Sequence, residues 1–379
     1  MILDNLSKDS GVSSIVINLF KNIDYQDIKI DFLIFKEGNN SYIEMVKSMG
    51  SKVYILPNPL SVRTLFKGLI YLKRFFSKHA KEYDAVHLHS PTLTEFTLKY
   101  AKKHHIDNRI IHSHSTMTSP NIIKKIINAY LQRNVTRYAN YYFACSKEAA
   151  YFLYGEKFCK ANQIEIIKNA VSAYEFKYDS KAAQEIKSKY NISKSRLAIH
   201  VSNFSKIKNV SFIVPVIQKL IDSGTDMKFM FIGDGPTKNE VEKEIRSLGL
   251  EEYCIFVGRS NEVSQLLNCG DVLLLPSLKE GLPVTVIEAQ ANGLDCIVTD
   301  TVTREANAGY VTYLPLDIEM WTNELLHIKT IDKMARLRRC KLVSQSEFNI
   351  SNEAKRVEKI YLTMRKENEK KIRDSNEIL

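Results

Sequence analysis

The stretch 271–300, DVLLLPSLKEGLPVTVIEAQANGLDCIVTD, concentrates residues that could do chemistry. It reads as a buried strand, a loop holding Glu280, Gly281, Leu282 and Pro283, a helix that stops at Gly293, and a second buried strand. Pro283 suits the first helical turn, where its missing N–H costs little. Backbone N–H groups of that loop and turn then point out of the helix end. With the helix dipole they form an anion site fit for a phosphate. Glu280 stands before the helix and Glu288 inside it, with seven residues between them. One carboxylate can sit above the anion site while the other lines its side. Carboxylates there would repel phosphate, so they suit neutral hydroxyls, as on a sugar and a ribose.

Other candidates are weaker alone. Lys208, in a KIKN loop, is by itself an ordinary solvated lysine. His112 and His114 alternate with serines and share one strand face. Such a pair more often packs or hydrogen-bonds than catalyses. His87 and His89 could add a third nitrogen for a metal, yet no Asp-x-Asp occurs that might hold a divalent ion. Gly233 and Gly235 in FIGDGP lack the third glycine of a dinucleotide fingerprint, which argues against a dehydrogenase. The six cysteines show no paired spacing, so buried free thiols are expected.

Positioning these residues requires alternating strands and helices. Short apolar runs at 29–35, 52–56, 85–89, 109–113, 141–145 and 164–167 form one set of strands. Runs at 197–201, 228–232, 254–257, 272–275 and 296–299 form a second. Most are continuously apolar, as in strands covered on both faces. Helical stretches lie between them, as where Val12, Ile15, Val16, Leu19 and Phe20 share a face. The expected fold is α/β, two doubly wound Rossmann-like domains with a cleft between them, binding ligands at the carboxyl ends of their strands. The polar, strandless stretch 168–195 marks the boundary. The first domain is expected over 1–172 with a returning helix at 350–366, the second over 173–349, and a frayed charged tail over 367–379.

The chain has 379 residues, 44% hydrophobic and 26% charged, which suits globular domains and excludes wholesale disorder. No apolar run approaches the roughly 20 residues of a membrane span, and no secretory signal opens the chain, so a cytoplasmic protein is expected. The net charge of +11 is unevenly placed: 61–81 and 108–147 contain no Asp or Glu. That field favours an anionic partner. Nucleic acid is not expected, because no recognisable module accompanies the charge. Leu65, Leu69, Leu72 and Phe76 recur at helical spacing beside Lys67, Lys73 and Arg74. Such a helix suits a membrane interface, although the same stripe more often faces a core.

From 256 to 300 the chain resembles the retaining glycosyltransferases of family 4, and most closely those that build bacterial exopolysaccharide and capsule. The likeness extends through FIGDGP (231–236), HVSNFSKIKN (200–209), YYFACSKEA (141–149) and RIIHSHST (109–116). It implies the GT-B architecture, two Rossmann-like domains facing a central cleft. The first would bind acceptor and the second a nucleotide sugar. Residue by residue, it implies that Glu280 holds hydroxyls of the donor sugar and Glu288 the ribose. Gly281, Leu282 and Pro283 would lie at the donor sugar and diphosphate. Lys208 would neutralise the departing diphosphate, His112 would stand beside the reacting sugar, and Gly11 in a glycine turn facing the cleft.

Two positions depart from the family pattern. Its usual Gly-Arg is Ser202-Asn203 here, so the donor site has Asn203 with Lys206 as a stand-in for the arginine charge. Its glycine pair is Ser10-Gly11, and the first strand before it is expected to be curtailed, since MILDNL is short. The implied activity is metal-independent transfer of a sugar to a hydroxyl acceptor, a lipid-linked oligosaccharide at an anionic inner membrane face. The alternatives are a nucleotide-sugar epimerase of the same architecture and a non-catalytic nucleotide-sugar-binding partner.

Overall fold

A computed structural model describes residues 1–8, 10–38, 40–56, 64–90, 94–114, 135–192 and 195–376. The chain divides into two units, Met1–Lys168 with Ser351–Leu379, and Asn169–Ile350. Among the described residues no helix is long and apolar enough to cross a membrane.

The first unit holds seven strands: β1 (Ile2–Leu3), β2 (Phe32–Ile34), β3 (Val53–Ile55), β4 (Ala85–Leu88), β5 (Asn108–Ser113), β6 (Tyr141–Ala144) and β7 (Glu165–Ile166). Their order is β3-β2-β1-β4-β5-β6-β7, with every pairing parallel. The second unit holds β8 (Arg196–Val201), β9 (Met227–Ile232), β10 (Cys254–Gly258), β11 (Val272–Leu275), β12 (Asp295–Thr299) and β13 (Val311–Leu314). These run β10-β9-β8-β11-β12-β13, again parallel throughout. Both sheets are doubly wound α/β, so the expected fold class holds.

Every expected strand is present. The curtailed first strand is present as β1, only two residues long yet central in its sheet, and one further strand was not foreseen, the edge strand β13. The returning helix also differs from expectation, because it runs unbroken from Ile350 to Asn376 and takes in most of the supposed tail. Of the cysteines, four are buried, while Cys159 and Cys254 are only half-buried; all are free.

The stripe at 65–76 faces inward, the commoner of the two readings its spacing allows. Leu72 and Phe76 on the helix Leu65–His79 are buried and Leu69 is half-buried. The side chain of Leu65 and residues 61–63 and 115–134 lie outside the described residues. A period of 3.6 reports an apolar face without saying what covers it, and here the core covers it. The apolar groups that do face solvent on this helix are Phe66 and Ile70.

Order in each sheet reverses once, between β1 and β4 and between β8 and β11. Loops leaving neighbouring strands at such a point diverge and leave a crevice at the carboxyl edge. In the second unit β8 and β11 are locked together at their opposite, amino-terminal ends. All four side chains of β11 are buried, and the Asp271 carboxylate accepts the Leu197 N–H at 2.8 Å while Asp271 N–H donates to Leu197 O at 2.8 Å. The β8–β11 register is thereby pinned.

Candidate functional site in each unit

The loop after β8 carries Asn203, Lys206 and Lys208, and the loop after β11 carries Glu280 to Pro283. The two loops are tied by Leu278 N–H donating to Ile207 O at 2.8 Å. Lys208 Nζ then lies 2.7 Å from Glu280 Oε1, with the side chains only 20% and 12% exposed. A charge-assisted hydrogen bond this sheltered is stronger than a surface pair, because less water screens it.

Pro283 sits one residue before the helix Val284–Ala291, in extended conformation with φ −70° and ψ 111°. It is therefore the capping residue rather than part of the first turn. Its ring supplies no capping side chain, and among the described residues the N–H groups of Gly281 and Leu282 reach no acceptor. These donors stand at the positive end of the helix dipole, suited to an anion. The helix itself is anchored at its far end. Gly293 turns with φ 81°, and Arg336 donates to Asn292 O at 3.0 Å, Gly270 O at 2.9 Å and Leu267 O at 2.8 Å.

Glu288 is half-buried on that helix. Burial pushes its carboxyl up to about 7, and the neighbouring Glu175 carboxylate pushes the same way. A carboxyl group so close to neutral pH is strained as an ion and gains from hydroxyl donors.

Residues not foreseen shape the lysine loop. His200 Nδ1–H donates to Leu274 O at 2.9 Å, which leaves Nε2 to accept from the Ser202 hydroxyl at 2.7 Å. Ser202 Oγ in turn accepts the Phe204 N–H at 3.1 Å. Burial lowers the His200 pKa to about 4, so the ring stays neutral and this direction is fixed. Phe204 and Asn209 adopt left-handed φ of 44° and 50°, a strained conformation held by the packing around it. FIGDGP has a role here too. A Cβ on Gly233 would lie 1.8 Å from Ser202 O, and one on Gly235 1.8 Å from Asn203 O. Those glycines let one loop lie flat on the other. Asn203 itself is exposed, its Oδ1 accepting the Ser205 N–H at 3.3 Å.

In the first unit Gly11 opens the helix Gly11–Asn22, capped by the Ser10 hydroxyl, and a Cβ there would meet nothing within 4 Å. His112 lies on β5 in a block of four imidazoles. His87 Nε2 is 3.2 Å from His112 Nδ1, and His89 Nδ1 is 2.9 Å from His114 Nε2. The His112 and His114 rings stack at 4.0 Å. Burial and neighbouring imidazoles hold His87, His89 and His112 well below the usual histidine range. One nitrogen from each of these three lies within 4.8 Å of the others, a spacing that a metal could bridge only by taking a His87 nitrogen from its present bond.

Known proteins resemble the chain along nearly its whole length. Residues 10–174 match the family model Glycosyltransferase Family 4, and residues 182–312 match Glycosyl transferases group 1. The putative glycosyltransferase EpsF of Bacillus subtilis (strain 168) is 30% identical over 327 residues, 83% of each chain. An Escherichia coli UDP-Gal:alpha-D-GlcNAc-diphosphoundecaprenol alpha-1,3-galactosyltransferase is 27% identical over 167 residues, 41% of this chain and 43% of that one. Among solved structures, Anabaena Alr3699/HepE in complex with UDP superposes with a TM-score of 0.77 at 16% identity, covering 96% of this chain and 99% of the other. The chain belongs to glycosyltransferase family 4, and is a hexosyltransferase-type enzyme of GT-B fold.

Proposed function

We propose that this enzyme transfers a hexose, with retention of anomeric configuration and without a metal, from a nucleotide diphosphate sugar to a hydroxyl of a lipid-linked oligosaccharide in bacterial surface polysaccharide synthesis. The observation that carries this reading is the Lys208–Glu280 pair at the β8–β11 switch point, beside the open amides of Gly281 and Leu282. That arrangement offers a cation and two donors to a diphosphate, and a carboxylate to a sugar hydroxyl. Names of similar proteins support the donor class: the Anabaena protein has been crystallised with UDP, with UDP and glucose, and with UDP-glucose. The Escherichia coli relative is named for a diphosphoundecaprenol-linked acceptor, which supports the acceptor class.

In the reaction the bond from C1 of the sugar to the diphosphate oxygen breaks. The acceptor oxygen bonds to C1 on the same face, and the acceptor proton passes to the departing diphosphate oxygen. No strong protein base is needed. Lys208 and the amides stabilise negative charge that grows on the leaving group, in place already formed before the reaction. Glu280 and Glu288 orient sugar and ribose hydroxyls, and His112 hydrogen-bonds the reacting sugar. Asn203 and Gly11 complete the donor contacts. The positive charge a metal would otherwise supply comes from Lys208.

The test is product analysis with a lipid-linked acceptor and a nucleotide diphosphate hexose. An α-linked product from an α-donor, formed equally in excess chelator, is expected. A β-linked product, dependence on added metal, or isomerised donor formed without acceptor would each count against the proposal.

A further inference from the structure

The geometry points to Tyr361 and His87 as positioning residues that hold His112 in its Nε2–H tautomer, making the remaining nitrogen of His112 a hydrogen-bond donor. The consequence for catalysis rests on the reading of His112 as the histidine beside the reacting sugar; the tautomer itself does not.

Three groups form one chain. The Tyr361 hydroxyl, on the returning helix, lies 2.6 Å from His87 Nδ1, and His87 Nε2 lies 3.2 Å from His112 Nδ1. The two imidazole planes differ by 9° with centroids 5.3 Å apart. That separation is close to the N···N distance plus two ring radii, so the N···N line runs nearly in both planes, where ring lone pairs and N–H bonds point. Phe143 stands edge-on to both rings, at 5.3 Å and 5.8 Å, and limits their rotation.

The direction of the chain follows from counting protons. Both imidazoles are deeply buried and neutral, so each carries a single N–H. Burial also raises the Tyr361 phenol, which keeps its hydrogen. Among the described residues the only partner of that phenol is His87. Its O–H therefore donates to His87 Nδ1, the proton of His87 sits on Nε2 and donates to His112 Nδ1, and the proton of His112 sits on Nε2. That last nitrogen is buried and has no partner among the described residues. It is the one open end of the chain. The reverse order would turn the phenolic hydrogen into the cavity, away from any protein acceptor among the described residues, and leave His112 Nε2 a bare lone pair, able only to accept. A sugar ring oxygen, or an oxygen on the departing side, needs a donor.

The fold explains why Tyr361 is available. The helix that carries it returns to this unit and is tied to it by Glu353 Oε1, which accepts the Lys168 N–H at 2.8 Å, and by Arg356, which donates to Ile166 O at 2.6 Å. Tyr361 and His87 also line a cavity of about 250 Å³ on the side of the sheet where the strands begin. The relay thus spans from that cavity to His112, and fixes a ring that no backbone group among the described residues holds.

Two-bond 1H–15N spectra of the full chain, with histidines labelled and His112 assigned through His112→Gln, read the tautomer directly. Protonated Nε2 and unprotonated Nδ1 are expected at neutral pH. Tyr361→Phe keeps ring shape and packing; it should populate the other tautomer and lower kcat about tenfold, with donor KM changed by no more than about twofold, the loss of one buried hydrogen bond. A His112 proton on Nδ1 in the wild-type chain would overturn the inference. So would Tyr361→Phe with unchanged spectrum and unchanged kcat. His112→Ala separates the two readings: wild-type turnover in that variant removes the catalytic role of His112, while the spectrum still decides the tautomer.

Discussion

Lys208 Nζ and Glu280 Oε1 meet at 2.7 Å although 72 residues separate them in the chain. They meet because strands β8 and β11 are neighbours across the point where sheet order reverses, so their following loops flank one crevice. Without a ligand each neutralises the other. On the proposed reading, a diphosphate arriving at the Gly281 and Leu282 amides draws Lys208 away, which leaves Glu280 to accept from sugar hydroxyls. One ion pair, on that same reading, holds both halves of the donor site in compact form.

Lys208→Met and Glu280→Gln should each lower kcat/KM by about a hundredfold or more, because each removes charge aimed at the donor. The double variant should be little worse than the weaker single, as expected of groups that act as a unit. Steady-state kinetics on the three proteins checks this, and multiplicative losses would show that the residues act independently.

Glu288 ties stability to pH. Its carboxyl rises from 4.5 to about 7 on folding. Across that window the native chain holds a proton that the unfolded chain has released, so stability falls as pH rises and then levels off above 7. Glu288→Gln removes the penalty and should be more stable than wild type at pH 8, by at most about 3 kcal/mol, with no gain near pH 4. Urea denaturation at the two pH values reads the difference; an equal effect at both would contradict the burial argument.

Gly233→Ala and Gly235→Ala should each disturb the lysine loop, since the new methyl would sit 1.8 Å from a carbonyl oxygen of that loop. A destabilisation of about 1–3 kcal/mol is expected, with weakened donor binding. Gly11→Ala, in open space, is the control that should leave stability within about 0.5 kcal/mol. Thermal unfolding of the three variants separates the cases.

Much of this was legible in the sequence, because it depends on local pattern. Val272 to Leu275 and their counterparts announce buried parallel strands, and the EGLP turn announces a helix start with amides left open. What escaped depends on partners far apart. Tyr361 meets His87 across 274 residues, and no periodicity encodes that contact. His200 looked like any strand histidine until Leu274 and Ser202 fixed its two nitrogens. The edge strand β13 is only half-covered along most of its length and so lacks the continuous apolar signature. Phe66 and Ile70 were overshadowed by the neighbouring stripe that turned out to be core.

Those two side chains carry a separate prediction. Phe66 is 77% exposed and Ile70 52%, beside exposed Lys67, Lys73 and Arg74. If the acceptor is met at an anionic bilayer, cosedimentation with phosphatidylglycerol vesicles should occur at low salt and decline as salt screens the cations. Phe66→Ser with Ile70→Ser should weaken it about tenfold or more, the loss of two buried apolar side chains. Binding that is absent at low salt, or untouched by the double variant, would place the contact elsewhere or nowhere.

The central claim is that the crevice between the β8 and β11 loops grips an activated sugar. Isothermal titration of nucleotide diphosphate hexoses into the wild-type chain and into Lys208→Met tests it without an acceptor. Saturable, one-to-one binding of at least one such donor to the wild type is predicted, weakened about tenfold or more in the variant. Equal affinity in both proteins, or no binding of any donor to the folded wild type, would contradict it.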